Sequence, residues 1–228
     1  MVIGDLLRDT AARAPDRPAL ISGDQHFSYA QFHEQANRLA NAFLDLPLER
    51  GARIAILSTN CPEYAIAYFG LARTPFVSAH CSTRCTPSEL ALTLNRLGTE
   101  HLLMESRFAE IVESIRPNLE RPVRCIFFDD PGPTTADGDT GLSDFIAAYP
   151  SHAPDIDLKT TDSFAITMTG GTTGVPKFVV VSHKSRCASA VAAMKDFGLS
   201  ETDVVVASTP LFHTAGLFVW LGTAVMAG

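Results

Sequence analysis

The sequence predicts an α/β fold in which helices flank a mainly parallel sheet. Between residues 51 and 128, short apolar runs alternate with segments that have helical spacing. Strands that alternate with helices usually form a parallel sheet, because each helix carries the chain back to the start of the next strand. The 228 residues, of which 46% are hydrophobic and 19% charged, suffice for one large domain or two small ones.

The first 50 residues predict a helix, a hairpin and a second helix. Residues 5–14 carry apolar side chains at helical spacing. Two β-prone runs, 19–21 and 27–29, lie on either side of Gly23-Asp24 and predict a short hairpin. Apolar residues recur every three or four positions across 30–43, which predicts an amphipathic helix.

The strand and helix alternation begins with a buried strand within 51–58. A helix is predicted from Pro62 to Ala72, since proline is favoured in the first turn. Residues 76–79 predict the next strand, and Thr86 is a suitable N-cap for the helix that follows. The remaining elements before residue 129 are predicted in the order strand, helix, strand at 101–104, 108–115 and 123–128.

Residues 129–141 are rich in Pro, Gly, Asp and Thr and predict an exposed loop, with a possible junction between two lobes near 129–162. Asp137-Gly138-Asp139 has the start of a calcium-binding EF-hand loop. Gly141 occupies the third ligand position, however, and no glutamate stands at the twelfth. A solvated loop is therefore the favoured interpretation.

Composition narrows the class of partner and the compartment. The formal charge of −7 and the pI of about 5.4 argue against nucleic acid as a partner. The five cysteines form no C-x-x-C pair, which favours free thiols in a reducing cytoplasm. Charged residues stand where a signal peptide would be apolar, so we predict a cytoplasmic protein.

The stretch most informative about function is Met168–Lys177, which lies between the strand-like runs 163–167 and 178–181. It contains three glycines, three threonines and a lysine. Glycines let successive amides point into one concavity, threonines add hydroxyl donors, and the lysine adds positive charge. These features predict a cradle for a polyphosphate. The Walker and dinucleotide-binding patterns both fail here, and a turn without a ligand is the alternative.

The residue order Thr-Gly-Gly-Thr-Thr-Gly-Val-Pro-Lys resembles the phosphate loop of the AMP-forming adenylating enzymes. These include acyl- and aryl-CoA ligases, peptide-synthetase adenylation domains and firefly-type luciferases. Gly170 and Phe178 replace the serine and glycine usual in that loop. Ala79-His80-Cys81 and Thr74-Pro75 are further departures, from a usual Pro-Leu-Asn and Gly-Ala. Matching landmarks elsewhere include 27–31, 36–40, 51–56, 60–64, 69–72 and Ser182-His183. Ser182 is a suitable N-cap for a helix that includes 186–197, and residues 204–207 predict a strand after it.

The resemblance implies the fold of the first part of the large N-terminal domain of these enzymes, and a set of site residues. The hydroxyls of Thr169, Thr172 and Thr173, the backbones of Gly170, Gly171 and Gly174, and the charge of Lys177 would hold the β,γ-phosphates of ATP. Phe212 and His213, within the segment 210–216, would line the acyl pocket. From the residues alone, a histidine between apolar neighbours is more often a core residue bonded to backbone, so that alternative stays open.

The implied reaction is activation of a carboxylic acid, fatty or aromatic, by ATP to an acyl-adenylate, followed by thioester formation with CoA. The family's later motifs, including its glutamate that helps hold Mg²⁺, cannot be located in this sequence. The expectation is therefore an N-terminal portion that does not complete turnover alone, with no catalytic or metal-binding residue assigned. The alternatives are a fragment of an amino-acid adenylation domain and a truncated, non-catalytic product that binds a nucleotide or a partner.

Residues 215–228 are almost entirely apolar, yet too few for a membrane span, which needs about 20 residues. A helix that is apolar all round should be buried on every side. We therefore expect either a missing C-terminal part or a partner to cover this run.

Overall fold

The computed structural model of the protein describes residues 1–132, 136–169 and 177–228. The α-helices are α1 (Ile3–Arg13), α2 (Tyr29–Leu44), α3 (Pro62–Leu71), α4 (Pro87–Leu97), α5 (Ala109–Ile115), α6 (Leu142–Ala147), α7 (His183–Asp196) and α8 (Gly222–Ala227), with a π-helix at Ala215–Leu221 and short 3-10 helices at Ser106–Phe108 and Arg116–Asn118. The strands are β1 (Pro18–Ser22), β2 (Gln25–Ser28), β3 (Arg53–Leu57), β4 (Val77–His80), β5 (His101–Met104), β6 (Arg124–Phe127), β7 (Thr140–Gly141), β8 (Ser163–Thr169) and β9 (Lys177–Ser182).

A seven-stranded sheet forms the centre of the fold in the order β7-β6-β5-β3-β4-β8-β9. Every neighbouring pair is parallel except β8 and β9, which form an antiparallel hairpin. The predicted α/β class with a mainly parallel sheet is confirmed. The predicted hairpin near the N-terminus is also present, as the separate antiparallel pair β1-β2.

Helices cover both faces of the sheet, which explains why β3 is apolar from Ile54 to Leu57. Ile54 and Ile56 point into a core cluster with side chains of α1, α2, α3, α6 and α7. Ala55 and Leu57 point to the opposite cluster, which α4 and α5 complete. Because successive strand residues face opposite sides, a strand covered on both faces reads as a continuous apolar run.

Short polar side chains start the helices as predicted. Thr86 Oγ1 accepts from the Glu89 amide at 3.4 Å, and the Glu89 carboxylate accepts in return from the Thr86 amide at 2.8 Å. Ser182 Oγ accepts from the Ser185 amide at 3.3 Å at the start of α7. Both predicted N-caps are confirmed, and each satisfies a backbone donor that the helix itself leaves free.

Close packing of α2 on α3 depends on the absence of a side chain at Gly70. A Cβ at this position would lie 2.9 Å from the Ala36 carbonyl oxygen and 2.7 Å from Leu39 Cδ2. We expect Gly70→Ala to lower the free energy of unfolding by about 2 kcal/mol, because the two helices must move apart. In the matched control Gly222→Ala, the nearest atom is 4.0 Å away. That control should gain up to about 1 kcal/mol from helix propensity. Urea unfolding of the two variants measures both changes, and equal values would contradict the steric argument.

The strand expected at 204–207 is wrong. These residues belong to no strand or sheet of the described chain. Val204 and Val206 expose 84% and 77% of their surface. A β-prone sequence becomes a strand only when a neighbouring strand supplies its hydrogen bonds, and here none is paired with it.

The apolar run 215–228 is covered in part by this chain itself, while residues 219–221 and 226–228 are only partly buried, which is consistent with the expected further cover. Leu217, Phe218 and Val225 are each at most 2% exposed and belong to the same core cluster as α1 and α7. Arg13 of α1 also donates to the Ala227 carbonyl at 3.0 Å. Among the described residues, no helix combines the length and apolarity needed to cross a bilayer.

Candidate functional site

The carboxyl ends of β3, β4, β5 and β8 lie at one edge of the sheet, since these strands are parallel. Ligands of open α/β sheets bind at this edge. The glycine- and threonine-rich loop leaves β8 at the same edge. Gly170, Gly171, Thr172, Thr173 and Gly174 lie outside the described residues.

The two ends of that loop are held together. Thr169, the last residue of β8, is the register partner of Lys177, the first residue of β9. Lys177 is exposed. The hairpin therefore brings the two ends of the loop next to each other and places a cationic residue at the start of β9.

Glu105 joins the loops that follow the two central strands. Its Oε2 accepts from the Thr59 amide at 2.5 Å, from Thr59 Oγ1 at 2.8 Å and from Ser58 Oγ at 2.9 Å. The chain after β3 continues to α3 on one face, and the chain after β5 continues to α5 on the other. This divergence creates a crevice, and Glu105 ties its two sides together. No sequence pattern pointed to a role for these residues.

Asn60 connects the same end of β3 to the segment that precedes the predicted acyl-pocket residues. Its Nδ2 donates to the carbonyls of Ala207 at 2.7 Å and Thr209 at 3.0 Å, and its Oδ1 accepts from the Leu211 amide at 2.7 Å. Asparagine can satisfy both kinds of backbone group at once, because its amide carries a donor and an acceptor. One side chain thus holds three successive points of 207–211.

Phe212 is half-buried and His213 is exposed, in a turn that leads into the π-helix. The His213 amide donates to the Pro210 carbonyl at 3.0 Å, and its ring Nδ1 accepts from the Ala215 amide at 3.3 Å. The alternative of a buried core histidine at this position is therefore wrong. The exposed edge of the ring is free to contact a ligand.

The π-helix presses directly on the segment before it. A Cβ at Gly216 would lie 2.5 Å from the Pro210 carbonyl oxygen, so only glycine permits this approach. π-helical turns are rare and occur often at functional sites. In its next turn, the Phe218 ring carries the Arg186 guanidinium at 4.5 Å and so links the π-helix to α7.

His80 is the centre of a buried chain of hydrogen bonds. Tyr64 Oη lies 2.8 Å from His80 Nδ1, Ser78 Oγ lies 3.1 Å from Nε2, and Ser78 Oγ donates to the Phe164 carbonyl at 3.2 Å. Since that serine hydrogen is used, its oxygen accepts from Nε2–H, and Nδ1 accepts from Tyr64. Burial lowers the pKa of His80 to about 3, so the ring is neutral. This chain of hydrogen bonds gives His80 a structural role in the sequence Ala79-His80-Cys81, which replaces the family's usual Pro-Leu-Asn.

A cavity of about 590 Å³ lies among α2, α3, the end of β6 and the start of α6. Its lining contains the carboxylates of Glu63, Asp129, Asp130 and Asp144 and no lysine or arginine. Among the site residues that the structure describes, neither Thr169 and Lys177 nor Phe212 and His213 line it. An anionic lining disfavours phosphates and carboxylates, so this cavity does not compete with the glycine-rich loop as an ATP site.

Comparison with known proteins decides the family. The sequence model described as "AMP-binding enzyme" matches residues 7–228. The chain belongs to the AMP-binding enzyme family. The resemblance seen in the glycine- and threonine-rich loop is thereby confirmed at the level of the family.

Individual relatives of this AMP-binding chain are CoA ligases. It is 31% identical over 215 residues to a crotonobetaine/carnitine–CoA ligase of Salmonella arizonae, covering 90% of this chain and 41% of the relative. It is 28% identical over 219 residues to the long-chain-fatty-acid–CoA ligase FadD13 of Mycobacterium tuberculosis, covering 94% and 42%. The chain thus spans about two fifths of the length of these relatives.

Solved structures confirm the fold of this AMP-binding chain. The anthranilate CoA ligase AuaEII, in complex with anthranoyl-AMP, superposes on the whole chain with a TM-score of 0.93, using 44% of its own length. The sequence identity is 24%, so this likeness speaks for the fold alone. The N-terminal domain of FACL13 from Mycobacterium tuberculosis, with a bound inhibitor, matches with a TM-score of 0.80 at 26% identity, and this chain covers 55% of it.

Proposed function

We propose that this chain serves the ATP-dependent activation of a carboxylic acid to an acyl-adenylate, which then passes its acyl group to the thiol of CoA. The observation that carries the proposal is the β8-β9 hairpin, which brings Thr169 and Lys177 together at the carboxyl edge of the sheet. Membership of the AMP-binding family and the CoA-ligase relatives support it. In the reaction, the carboxylate oxygen attacks the α-phosphorus of ATP and pyrophosphate leaves; the thiol sulfur then attacks the acyl carbon and AMP leaves.

The residues proposed to hold the β,γ-phosphates are those of the loop: Thr169, Gly170, Gly171, Thr172, Thr173, Gly174 and Lys177. The described part fits this role, because Lys177 is exposed at the start of β9. A positive charge placed at the leaving pyrophosphate stabilises the charge that develops there. Mg²⁺ would neutralise the same phosphates when bound, and we assign no residue of this chain as its ligand.

The acid is proposed to lie against Phe212 and His213. The half-buried ring of Phe212 offers apolar surface, and the exposed imidazole of His213 offers a polar edge. The names of the relatives cover a carnitine-type acid and long-chain fatty acids. We propose a fatty or aromatic acid as the substrate class.

All five cysteines are free thiols, which supports the proposed cytoplasmic location.

Replacing Lys177 tests the phosphate site. We expect Lys177→Ala to weaken MgATP binding about tenfold, because a charge-assisted contact with phosphate is lost. The matched control is Lys184→Ala in α7, which removes another exposed lysine, outside the hairpin. Isothermal titration of MgATP into the three proteins measures the change. Equal affinities for Lys177→Ala and Lys184→Ala would contradict the assignment of Lys177.

A further inference from the structure

Residues 203–208 form an exposed segment, outside any helix or strand, with little packing of their own. Val204 and Val206 are exposed at 84% and 77%, and the segment forms no strand of the described sheets. Segments with few buried side chains and few internal hydrogen bonds open at low free-energy cost. The segment nevertheless continues through 209–211 to Phe212 and His213. If these two residues form part of a ligand site, their position must be fixed.

Asn60 supplies a fixed attachment point for that segment. It follows β3 and lies two residues before Pro62, which begins α3. The preceding residue, Thr59, is held at both its amide and its hydroxyl by the Glu105 carboxylate. The backbone that carries Asn60 is therefore anchored to two central strands.

The three hydrogen bonds from Asn60 grip the segment at both ends of a five-residue stretch. They reach the carbonyls of Ala207 and Thr209 and the amide of Leu211, at 2.7, 3.0 and 2.7 Å. Leu211 is 4% exposed and packs in the core. The exposed segment therefore ends at Leu211, where the chain is held by core packing and by Asn60. Phe212 is the next residue along the chain.

We infer that Asn60 is a positioning residue that sets the place of Phe212 and His213 for the carboxylic acid. The inference rests on the proposed function, because the position of Phe212 and His213 is important only if they contact the acid. We call the three hydrogen bonds of Asn60 to 207–211 the clamp. Without the clamp, the segment would populate other conformations. The apparent affinity for the acid would then fall in proportion to the fraction of molecules that keep the binding geometry. ATP binding at the hairpin should be unaffected, because the hairpin does not contact Asn60 through these bonds.

The variants to compare are Asn60→Ala, Asn60→Asp and the control Asn41→Ala. Asn60 is exposed, so its truncation leaves no cavity in the core. Asn60→Asp keeps the shape and the acceptor for Leu211 but loses both donors and turns a carboxylate toward two carbonyls. Asn41 makes the same type of bond, from Nδ2 to the carbonyls of Pro150 at 2.9 Å and His152 at 3.0 Å, in another loop.

Two measurements separate a loosened segment from a lost function. Hydrogen–deuterium exchange reports the protection of peptides that cover 204–213. Titration with decanoate and with benzoate, followed by the fluorescence of Trp220, reports acid binding, since Trp220 is the single tryptophan and lies in the π-helix. Titration with MgATP and the thermal midpoint serve as readouts that the clamp should not move.

We expect Asn60→Ala and Asn60→Asp to raise exchange in 204–213 and to weaken binding of the acid about tenfold, with the MgATP affinity and the thermal midpoint unchanged. Asn41→Ala should change neither the exchange of 204–213 nor acid binding. Unchanged exchange in both Asn60 variants overturns the clamp. Faster exchange with unchanged acid affinity overturns its role in positioning. If the wild-type chain binds neither acid, the proposed function of Phe212 and His213 fails, and the exchange data show separately whether the clamp exists.

Discussion

Lowering the pH from 7.5 to 4.5 is expected to reduce the free energy of unfolding by about 5 kcal/mol through His80 and His183 alone. Burial lowers the pKa of His80 to about 3 and that of His183 to about 4. Both side chains are 1% exposed. The expected loss is comparable with the whole stability of many domains, which is about 5–15 kcal/mol.

The sign follows from which state binds the proton. In the unfolded chain a histidine has a pKa of about 6.5, so below that pH the unfolded state binds protons that the folded state excludes. The contribution is therefore fully present above about pH 6.5 and is lost as the pH falls toward the folded values. For His183, Asp162 and Asp5 raise the pKa and the N-terminus lowers it, but burial is the largest cause.

Neutral rings are required by the contacts that these histidines make. His183 Nδ1 accepts from the Ile3 amide at 3.2 Å, and its ring stacks on Phe164 with centroids 4.8 Å apart. His80 Nδ1 accepts from Tyr64 at 2.8 Å. A proton on either Nδ1 would replace an acceptor with a donor and leave two donors facing each other.

Urea unfolding at pH 7.5, 6.0 and 4.5 measures the pH dependence. A His80→Leu variant should show roughly half of the expected loss, because one of the two groups is removed. Replacement of the exposed His26 by asparagine is the matched control, since it changes a histidine that is not in the core. A His80→Leu variant with the full wild-type slope would contradict the assignment.

Most elements of the fold could be predicted because their signals are local. The N-cap residues Thr86 and Ser182, and the apolar run of β3, act within a few positions of the chain. The strand expected at 204–207 failed for the opposite reason, since a strand needs a neighbour that no local pattern supplies. The helical end at 215–227 was predicted as apolar, but its cover by α1, about 200 residues earlier in the chain, had no local signal.

The candidate site divides in the same way. Residue order alone indicated the glycine- and threonine-rich loop and the segment with His213. No role was predicted for Glu105, or for Asn60 within the landmark 60–64, because their partners are 46–151 residues away in the sequence. The sequence did contain a usable signal. Glu105 directly follows β5, and Asn60 lies three residues after the end of β3, at the edge of the sheet where ligands bind. Polar residues at such strand ends merit attention before a structure is known.

His80→Leu is expected to lower the free energy of unfolding at pH 7.5 by about 3 kcal/mol. The substitution keeps an apolar body in the core but removes both ring nitrogens. Tyr64 Oη then has no acceptor at 2.8 Å, and Ser78 Oγ loses a donor at 3.1 Å. A buried polar group left unpaired costs about 1–3 kcal/mol, and Tyr64 is completely buried. Urea unfolding with an unchanged m-value measures the cost.

A double-mutant cycle with Tyr64→Phe separates the lost hydrogen bond from lost packing. Tyr64→Phe alone should cost about 1–2 kcal/mol, because His80 Nδ1 remains buried without a donor. In the His80→Leu background the same change removes the orphaned hydroxyl. The double variant should therefore be more stable than His80→Leu alone, with a coupling of about 2 kcal/mol. Costs that simply add would mean that the two rings contribute only by packing, with their centroids 5.8 Å apart. The hydrogen-bond chain through His80 would then have no energetic role in holding α3 against β4.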